Sequence, residues 1–235
     1  MSANYSCIPF YTSLEQQDYK KEFAYGDIYN NCCDKKLLPF QIVRNGNFTN
    51  IQSVKIYNWD MTNEVDITSL MVAAGLYIKV YEPFSIIVFP AIQTITELSL
   101  GKKVIKITDG IQSYYSDVIL IRESISDKLS LKWSNNDDLK IPNGRICYEN
   151  DFYNVLYFDT LVGKPEYPFE EEQESLNGLK FPIQQISKKI FRFVVSVPEY
   201  IADVVRLIRM HDNIIVTCKG IEYVCFNFLL TIVLS

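Results

Sequence analysis

Lys102-Lys-Val-Ile-Lys-Ile-Thr-Asp-Gly-Ile-Gln-Ser-Tyr-Tyr-Ser-Asp-Val-Ile-Leu120 is the stretch on which the fold turns. Asp109-Gly110 lies between two runs rich in Val, Ile, Thr and Tyr and supplies the positive-φ residues of a tight turn, so the stretch predicts a β-hairpin. Upstream lie further short apolar runs, Pro39-Phe-Gln-Ile-Val43, Val54-Lys-Ile-Tyr57, Tyr77-Ile-Lys-Val-Tyr81 and Ile86-Ile-Val-Phe89, separated by turn-rich segments. Strands of that length at that spacing predict a mainly β domain, an immunoglobulin-like β-sandwich over residues 38–127 that finishes on the hairpin.

Before this domain, residues 1–37 set aromatics such as Tyr5, Tyr11, Tyr19, Phe23, Tyr25 and Tyr29 among charges with no sustained period, and read as an extended N-terminal arm. After it, residues 128–235 read as an α+β domain, one helix packed on an antiparallel sheet. Its expected strands are Leu129-Ser-Leu-Lys-Trp133, Arg145-Ile-Cys-Tyr148, Val155-Leu-Tyr-Phe158 and Lys189 to Val197, the last so apolar that both faces should be covered. The helix is expected over about 198–211: Ile201, Val204, Val205 and Ile208 share one face, and Pro198 suits its first turn. Ile214-Ile-Val-Thr217 and Glu222-Tyr-Val-Cys225 flank Lys219-Gly220 as a second hairpin.

The chain has 235 residues, enough for one large β domain or two smaller ones, and is 48% hydrophobic and 14% aromatic. Its net charge of −5 and scattered Lys and Arg argue against nucleic-acid binding, in particular against direct sequence-specific contact. The N-terminus lacks the pattern of a signal peptide, and no stretch approaches the roughly 18 apolar residues of a membrane span, so no membrane partner is expected. The apolar end, Asn227 to Ser235, reads as a buried strand or a partner-facing tail. Six cysteines with no ligand-like spacing, in a chain made in a cytoplasm, are expected to be free thiols.

The acidic stretch Lys164-Pro-Glu-Tyr-Pro-Phe-Glu-Glu-Glu-Gln-Glu-Ser-Leu-Asn-Gly178 is the one composition signal that suggests chemistry. Catalytic carboxylates need rigid positioning and environments that push their pKa values apart, whereas neighbours in a charged run are solvated alike. Glu170, Glu171, Glu172 and Glu174 are therefore read as a projecting loop, its backbone extended by Pro165 and Pro168 and turned back at Asn177-Gly178. Tyr167 and Phe169 alternate with the charges as apolar anchors for a neighbour or for their own domain. Asp137-Asp138 resembles a turn rather than a calcium loop. His211, the single histidine, reads as a cap at the C-terminal end of the helix, and no phosphate-binding glycine loop occurs. With no nucleophile, base and stabiliser converging, no enzyme, cofactor or metal is expected. Trp59, Tyr114, Tyr115, Trp133, Tyr148, Phe152, Tyr153 and Tyr157 are read as cross-strand pairs in or near the core, with a sugar-stacking platform as the other possibility.

Several segments carry a family likeness: Pro9-Phe-Tyr11, Tyr25-Gly-Asp27, Leu38-Pro-Phe-Gln-Ile42, Tyr114-Tyr-Ser116, Leu129 to Trp133, Asn154-Val-Leu-Tyr157, Gly163 to Glu172, Phe181-Pro182 with Gln185-Ile-Ser187, and Pro198-Glu-Tyr200 with Arg206-Leu-Ile-Arg209. Together they resemble uncharacterised proteins of phages and prophages of gut Bacteroidota, including crAss-like phages, from about residue 8 to residue 230. Family members continue beyond Phe228-Leu-Leu-Thr231 with a Trp-containing charged strand, where this sequence ends at Ile232-Val-Leu-Ser235. The resemblance implies a non-enzymatic virion structural protein, assembled in the host bacterial cytoplasm. It would be a ring-forming subunit of the neck (the head–tail connector) or tail, acting by self-assembly and by docking to other virion proteins. On that reading Tyr167, Phe169, Glu170, Glu171 and Glu172 are expected to contact neighbours, together with Tyr19, Phe23 and Tyr25 of the arm. The alternative is a sugar-binding or adhesin-like β-sandwich module.

Overall fold

The structure is a computed structural model that describes residues 8, 10–12, 31–33, 36–45, 50–81, 84–125, 127–135, 152–160, 162–176, 179–187, 190–195, 197 and 199–225. In chain order the elements are β1 (Phe10–Thr12), β2 (Asn31–Cys33), β3 (Phe40–Asn45), β4 (Ser53–Asn58), β5 (Val65–Asp66), α1 (Thr68–Ala73), β6 (Tyr77–Tyr81), β7 (Phe84–Phe89) and β8 (Gly101–Thr108). They continue as β9 (Ser113–Ser116), β10 (Ile119–Ile121), β11 (Leu129–Ser134), β12 (Asn154–Phe158), β13 (Phe169–Leu176), β14 (Leu179–Ser187), α2 (Glu199–Leu207), β15 (Asn213–Cys218) and β16 (Ile221–Val224). The protein is mainly β, with several antiparallel sheets and few helices.

The stretch from Lys102 to Leu120 forms the centre of the largest sheet. Strand β8 pairs with β4 along one edge, while β9 and β10 share the other. The turn between β8 and β9 is closed by Asp109, whose N–H donates to the Gln112 carbonyl and whose Oδ1 accepts from the N–H groups of Ile111 and Gln112. Gly110 between them has φ 90°, a conformation that suits glycine. The arm contributes two short strands to the same sheet: β1 lies antiparallel to β9 and β2 lies parallel to β10, and Ile8 is buried.

A second, three-stranded sheet runs β3-β7-β6, antiparallel throughout. Alternation along these strands gives each sheet an apolar side, and the two sides share one hydrophobic cluster: Phe40, Ile42, Ile87 and Phe89 from the small sheet, Val54, Ile56, Ile105, Ile107, Ile119 and Ile121 from the large one. The rings of Phe40 and Phe89 stack at 4.4 Å, and Phe10 adds a third ring 4.9 Å from Phe40. On the other side of the small sheet, Val88 packs with Phe152, Tyr77, Ile86 and Leu207 of α2. Gln41 points away from the cluster as well; it is 1% exposed, and among the described residues neither amide atom finds a hydrogen-bond partner.

A third sheet has the order β12-β11-β15-β16, antiparallel throughout. The β15–β16 hairpin turns on Lys219 and Gly220, both at positive φ (50° and 75°), as a two-residue turn of the primed type requires. Helix α2 buries Ile201 and Val205, and Ile208 in the single 3-10 turn that follows, and leaves Arg206 and Asp203 outside in a 3.3 Å pair. Arg145 to Tyr148 lies outside the described residues.

By its contacts the chain divides into two units, residues 1–158 with 196–235, and residues 159–195. The boundary expected near Ser126-Asp127 falls inside the first unit, where Val155 of β12 joins the cluster shared by the two earlier sheets.

Candidate functional site

The second unit holds the acidic stretch, and its structure corrects two expectations. The stretch is not a loop. Phe169 to Leu176 is strand β13, paired antiparallel with β14 from Phe169 opposite Ser187 to Leu176 opposite Leu179. The pairing leaves only Asn177 and Gly178 between the strands, and these two lie outside the described residues. Consecutive glutamates disfavour strands in general, but here the partner strand and the close of the hairpin override that preference. Nor is Lys189 to Val197 a covered central strand. Ile190 makes an isolated bridge with Glu166, residues 191–195 are irregular, and Val194 is 86% exposed. The facing segment carries Pro165 and Pro168, which have no N–H to offer a ladder, so pairing stops after the bridge.

At the base of the hairpin the chain is tied by a few bonds. Glu166 and Ile190 exchange backbone hydrogen bonds of 2.9 Å, the Gly163 N–H donates to the Arg192 carbonyl (2.9 Å), and the Thr160 hydroxyl donates to the Val194 carbonyl (2.7 Å). The Arg192 guanidinium donates through Nε and Nη2 to both Glu166 oxygens, at 2.9 and 3.0 Å, a bidentate pair that holds the carboxyl below the usual carboxylate range. A register shift between Glu172 and Gln173 leaves Ile183 as the extra residue of a bulge, with Pro182 beside it.

Alternation puts Glu170, Glu172 and Glu174 on one face of β13 and Phe169, Glu171 and Gln173 on the other, and all six are exposed. Of the expected contact residues, Tyr167 (63% exposed), Phe169 (57%), Glu170, Glu171 and Glu172 are thus brought together on and beside one ribbon. Tyr19, Phe23 and Tyr25 lie outside the described residues. The recess beside the glutamates, lined by Glu170, Glu171, Glu172 and Gln184, is open and about 180 Å³, well under the roughly 300 Å³ at which ligand pockets begin.

Elsewhere, His211 takes the capping position expected of it. It is buried, and its Nδ1 donates to the carbonyls of Leu207 (2.8 Å) and Ile208 (3.2 Å) at the end of α2, with the Trp133 ring edge-on at 6.3 Å. Among the described residues no group of His, Cys, Asp and Glu could hold a metal, no helix is long and apolar enough to cross a membrane, and Cys218 and Cys225 are free thiols.

The aromatics divide. Trp133 and Phe152 are core residues, Tyr114, Tyr115, Tyr153 and Tyr157 are half-buried, and Tyr148 lies outside the described residues. Trp59 stands out at 62% exposed, in the turn between β4 and β5. That turn is densely bonded: the Asn58 N–H donates to the Thr62 carbonyl, the Met61 N–H to the Asn58 carbonyl, and the Thr62 N–H and hydroxyl both to Asp60 Oδ1. Beneath it, Lys103 is 3% exposed and donates to Asn58 Oδ1 (2.5 Å) and Ser99 Oγ (2.6 Å); burial pushes its amine down, against the opposing pull of Asp60. Nearby, Glu64 accepts from the Tyr57 hydroxyl (2.6 Å) and from Lys55. Burial and then that bond push the Tyr57 phenol up to about 12. Sequence reading missed this turn because Trp59 was weighed with the other aromatics as core; the run of Asn58, Asp60, Thr62 and Asn63 around it was the available sign of a surface turn.

No family model, no curated protein and no solved structure matches the chain.

Proposed function

We propose that this chain is a non-enzymatic virion structural protein, a ring-forming subunit of a phage neck or tail that acts by self-assembly and by docking to other virion proteins. The observation that carries the reading is the β13–β14 ribbon. Among residues 159–195 whose side chains are described none is buried, although Tyr167, Phe169, Ile183 and Val194 are all more than half exposed. An isolated two-stranded hairpin is marginal in water, so a ribbon with both faces exposed has most to gain from a neighbouring surface. On this reading Tyr167 and Phe169 anchor the contact, Glu170, Glu171 and Glu172 set its register, and the arm residues Tyr19, Phe23 and Tyr25 reach a neighbour. The facing sheets of the first unit serve as an immunoglobulin-like sandwich, and α2 with the third sheet as an α+β portion. The protein assembles in the bacterial cytoplasm and resides in the virion.

Size-exclusion chromatography with light scattering tests this. The chain is expected to form a closed oligomer as concentration rises. Tyr167→Ala with Phe169→Ala should shift it to monomer, whereas E170Q, E171Q and E172Q together should mainly alter its salt dependence. A strictly monomeric chain, absent from purified virions by mass spectrometry, would overturn the proposal.

A further inference from the structure

The outer face of the largest sheet gathers aromatic rings and charges around Trp59. Val54 and Ile56 of β4 point into the core, so alternation turns Lys55 and Tyr57 outward. Trp59 continues that side, because its N–H donates to the Lys102 carbonyl (3.1 Å) and extends the β4–β8 ladder by one step. In register across the sheet, Asp66 lies opposite Lys55, Lys55 opposite Lys106, and Lys106 opposite Tyr115, whose ring centroid is 5.6 Å from Lys106 Nζ. Strand rise and spacing put Trp59 about 15 Å from Tyr115 along the diagonal, with Tyr57 between them.

Three observations narrow the ligand. First, the turn that presents Trp59 is fixed by the bonds of Asn58, Asp60 and Thr62 and by Lys103 from below, and Met61 is held at φ 65°, where a side chain other than glycine is strained. Such strain persists only where the surroundings impose it, and it recurs at binding sites. Second, the charges cancel: Lys55, Lys102 and Lys106 stand against Asp60, Glu64 and Asp66, so the face offers no net attraction to a polyanion. Third, apart from Met61 the exposed residues that follow Trp59 are Asp60, Thr62, Asn63 and Glu64. These are hydrogen-bonding groups, not the water-excluding apolar surround of a protein hot spot.

We infer that this face, from Trp59 past Tyr57 to Tyr115, is a binding site for a neutral oligosaccharide. The faintly positive C–H edges of a sugar ring lie on the negative face of an indole, carboxylates accept from sugar hydroxyls, and ammonium groups donate to them. A span of about 15 Å takes more than one ring, hence an oligosaccharide rather than a monosaccharide. The inference does not depend on ring assembly.

The chain has two tryptophans and Trp133 is 1% exposed, so collisional quenching of fluorescence by acrylamide reads Trp59 alone. The full chain is titrated with maltohexaose, cellohexaose, xylohexaose and chitohexaose, and separately with heparin and oligo(dT). At least one neutral oligosaccharide should shield Trp59 and saturate with a dissociation constant of about 1 mM or tighter. By calorimetry, Trp59→Ala and Tyr115→Ala should each weaken that binding about tenfold while circular dichroism stays that of the parent. Three results would overturn the inference: no neutral oligosaccharide shields Trp59; heparin or oligo(dT) binds there instead; or Trp59 resists quenching without any ligand, which would mean the chain covers this face itself. Should Trp59→Ala fail to fold, Tyr115→Ala and Lys106→Gln carry the same test, and undiminished binding in both would sink it.

Discussion

The cluster around Phe40 and Phe89 and the β13–β14 ribbon are built from the same kind of element, paired antiparallel strands, yet differ in what surrounds them. In the first, two sheets turn their apolar sides to one another and Phe89 is wholly buried. In the second, two strands of eight and nine residues hold each other by their backbones while Phe169 stays 57% exposed. Strand pairing gives shape, but stability comes from the second layer. The first unit has that layer within itself; among the described residues of the second no side chain is buried.

The largest test of this contrast is a matched pair of substitutions. Phe89→Ala should destabilise the chain by about 3–5 kcal/mol in denaturant unfolding, since it removes a buried ring and leaves a cavity against Phe40. Phe169→Ala should change the monomer by no more than about 0.5 kcal/mol. Equal costs would erase the difference between the two regions. A smaller effect is expected at the flaw in the first unit's packing: Gln41→Met replaces a buried amide that has no partner among the described residues by an apolar side chain of similar shape, and should stabilise by about 1 kcal/mol. Destabilisation would mean that an ordered water satisfies the amide.

Acid should act on the ribbon before the core. The Glu166 carboxyl is held below its ordinary value of 4.5, so as pH falls the unfolded chain takes up the proton first. Its contribution is therefore complete above about pH 5 and disappears as pH falls through the folded value. Protection factors of the Glu166 and Ile190 amides, corrected for intrinsic exchange that itself slows in acid, should fall over that range while strand β8 remains protected. Smallest of all, Arg192→Ala should abolish this acid step without moving the melting temperature, because the pair it breaks is exposed and local.

Much of the first unit was legible in the sequence because short β-prone runs and turn residues agree there. Val104 to Thr108, Asp109-Gly110 and Tyr114-Tyr115 give β8, its turn and β9; Lys219-Gly220 gives the other hairpin; and the face of Ile201, Val205 and Ile208 gives α2. What was missed depended on partners distant in sequence. Helix α1 is six residues long, too short to show a period, and is fixed by Met71 in the core and by Gly75 at φ 98° in a terminating motif, with Leu76 N–H donating to the Met71 carbonyl and Gly75 N–H to the Val72 carbonyl. Strand β13 looked like a solvated loop because nothing in Glu170-Glu-Glu172 states that Gln184 to Ile186 will lie alongside. At the candidate sites, the exposure of Tyr167 and Phe169 was only half readable, since apolar residues alternating with charges suit contact with a neighbour or with their own domain alike. The exposure of Trp59 was readable only from its polar neighbours Asn58, Asp60, Thr62 and Asn63, because a tryptophan beside a strand looks the same in sequence whichever side it faces.

The strands contributed by the arm bear on the order of events at the ribosome. Phe10 finds its partner at Ser116 and Asn31 at Ile119, so β1 and β2 must wait for residues about a hundred positions downstream. At about 5–20 residues per second that wait is on the order of 5–20 s. During it, β8 to β10 emerge in sequence and can form their own ladder, and the arm is then drawn across both of its remaining edges. Strands β1 and β2, made before the strands they pair with, are thus placed to close the sheet last.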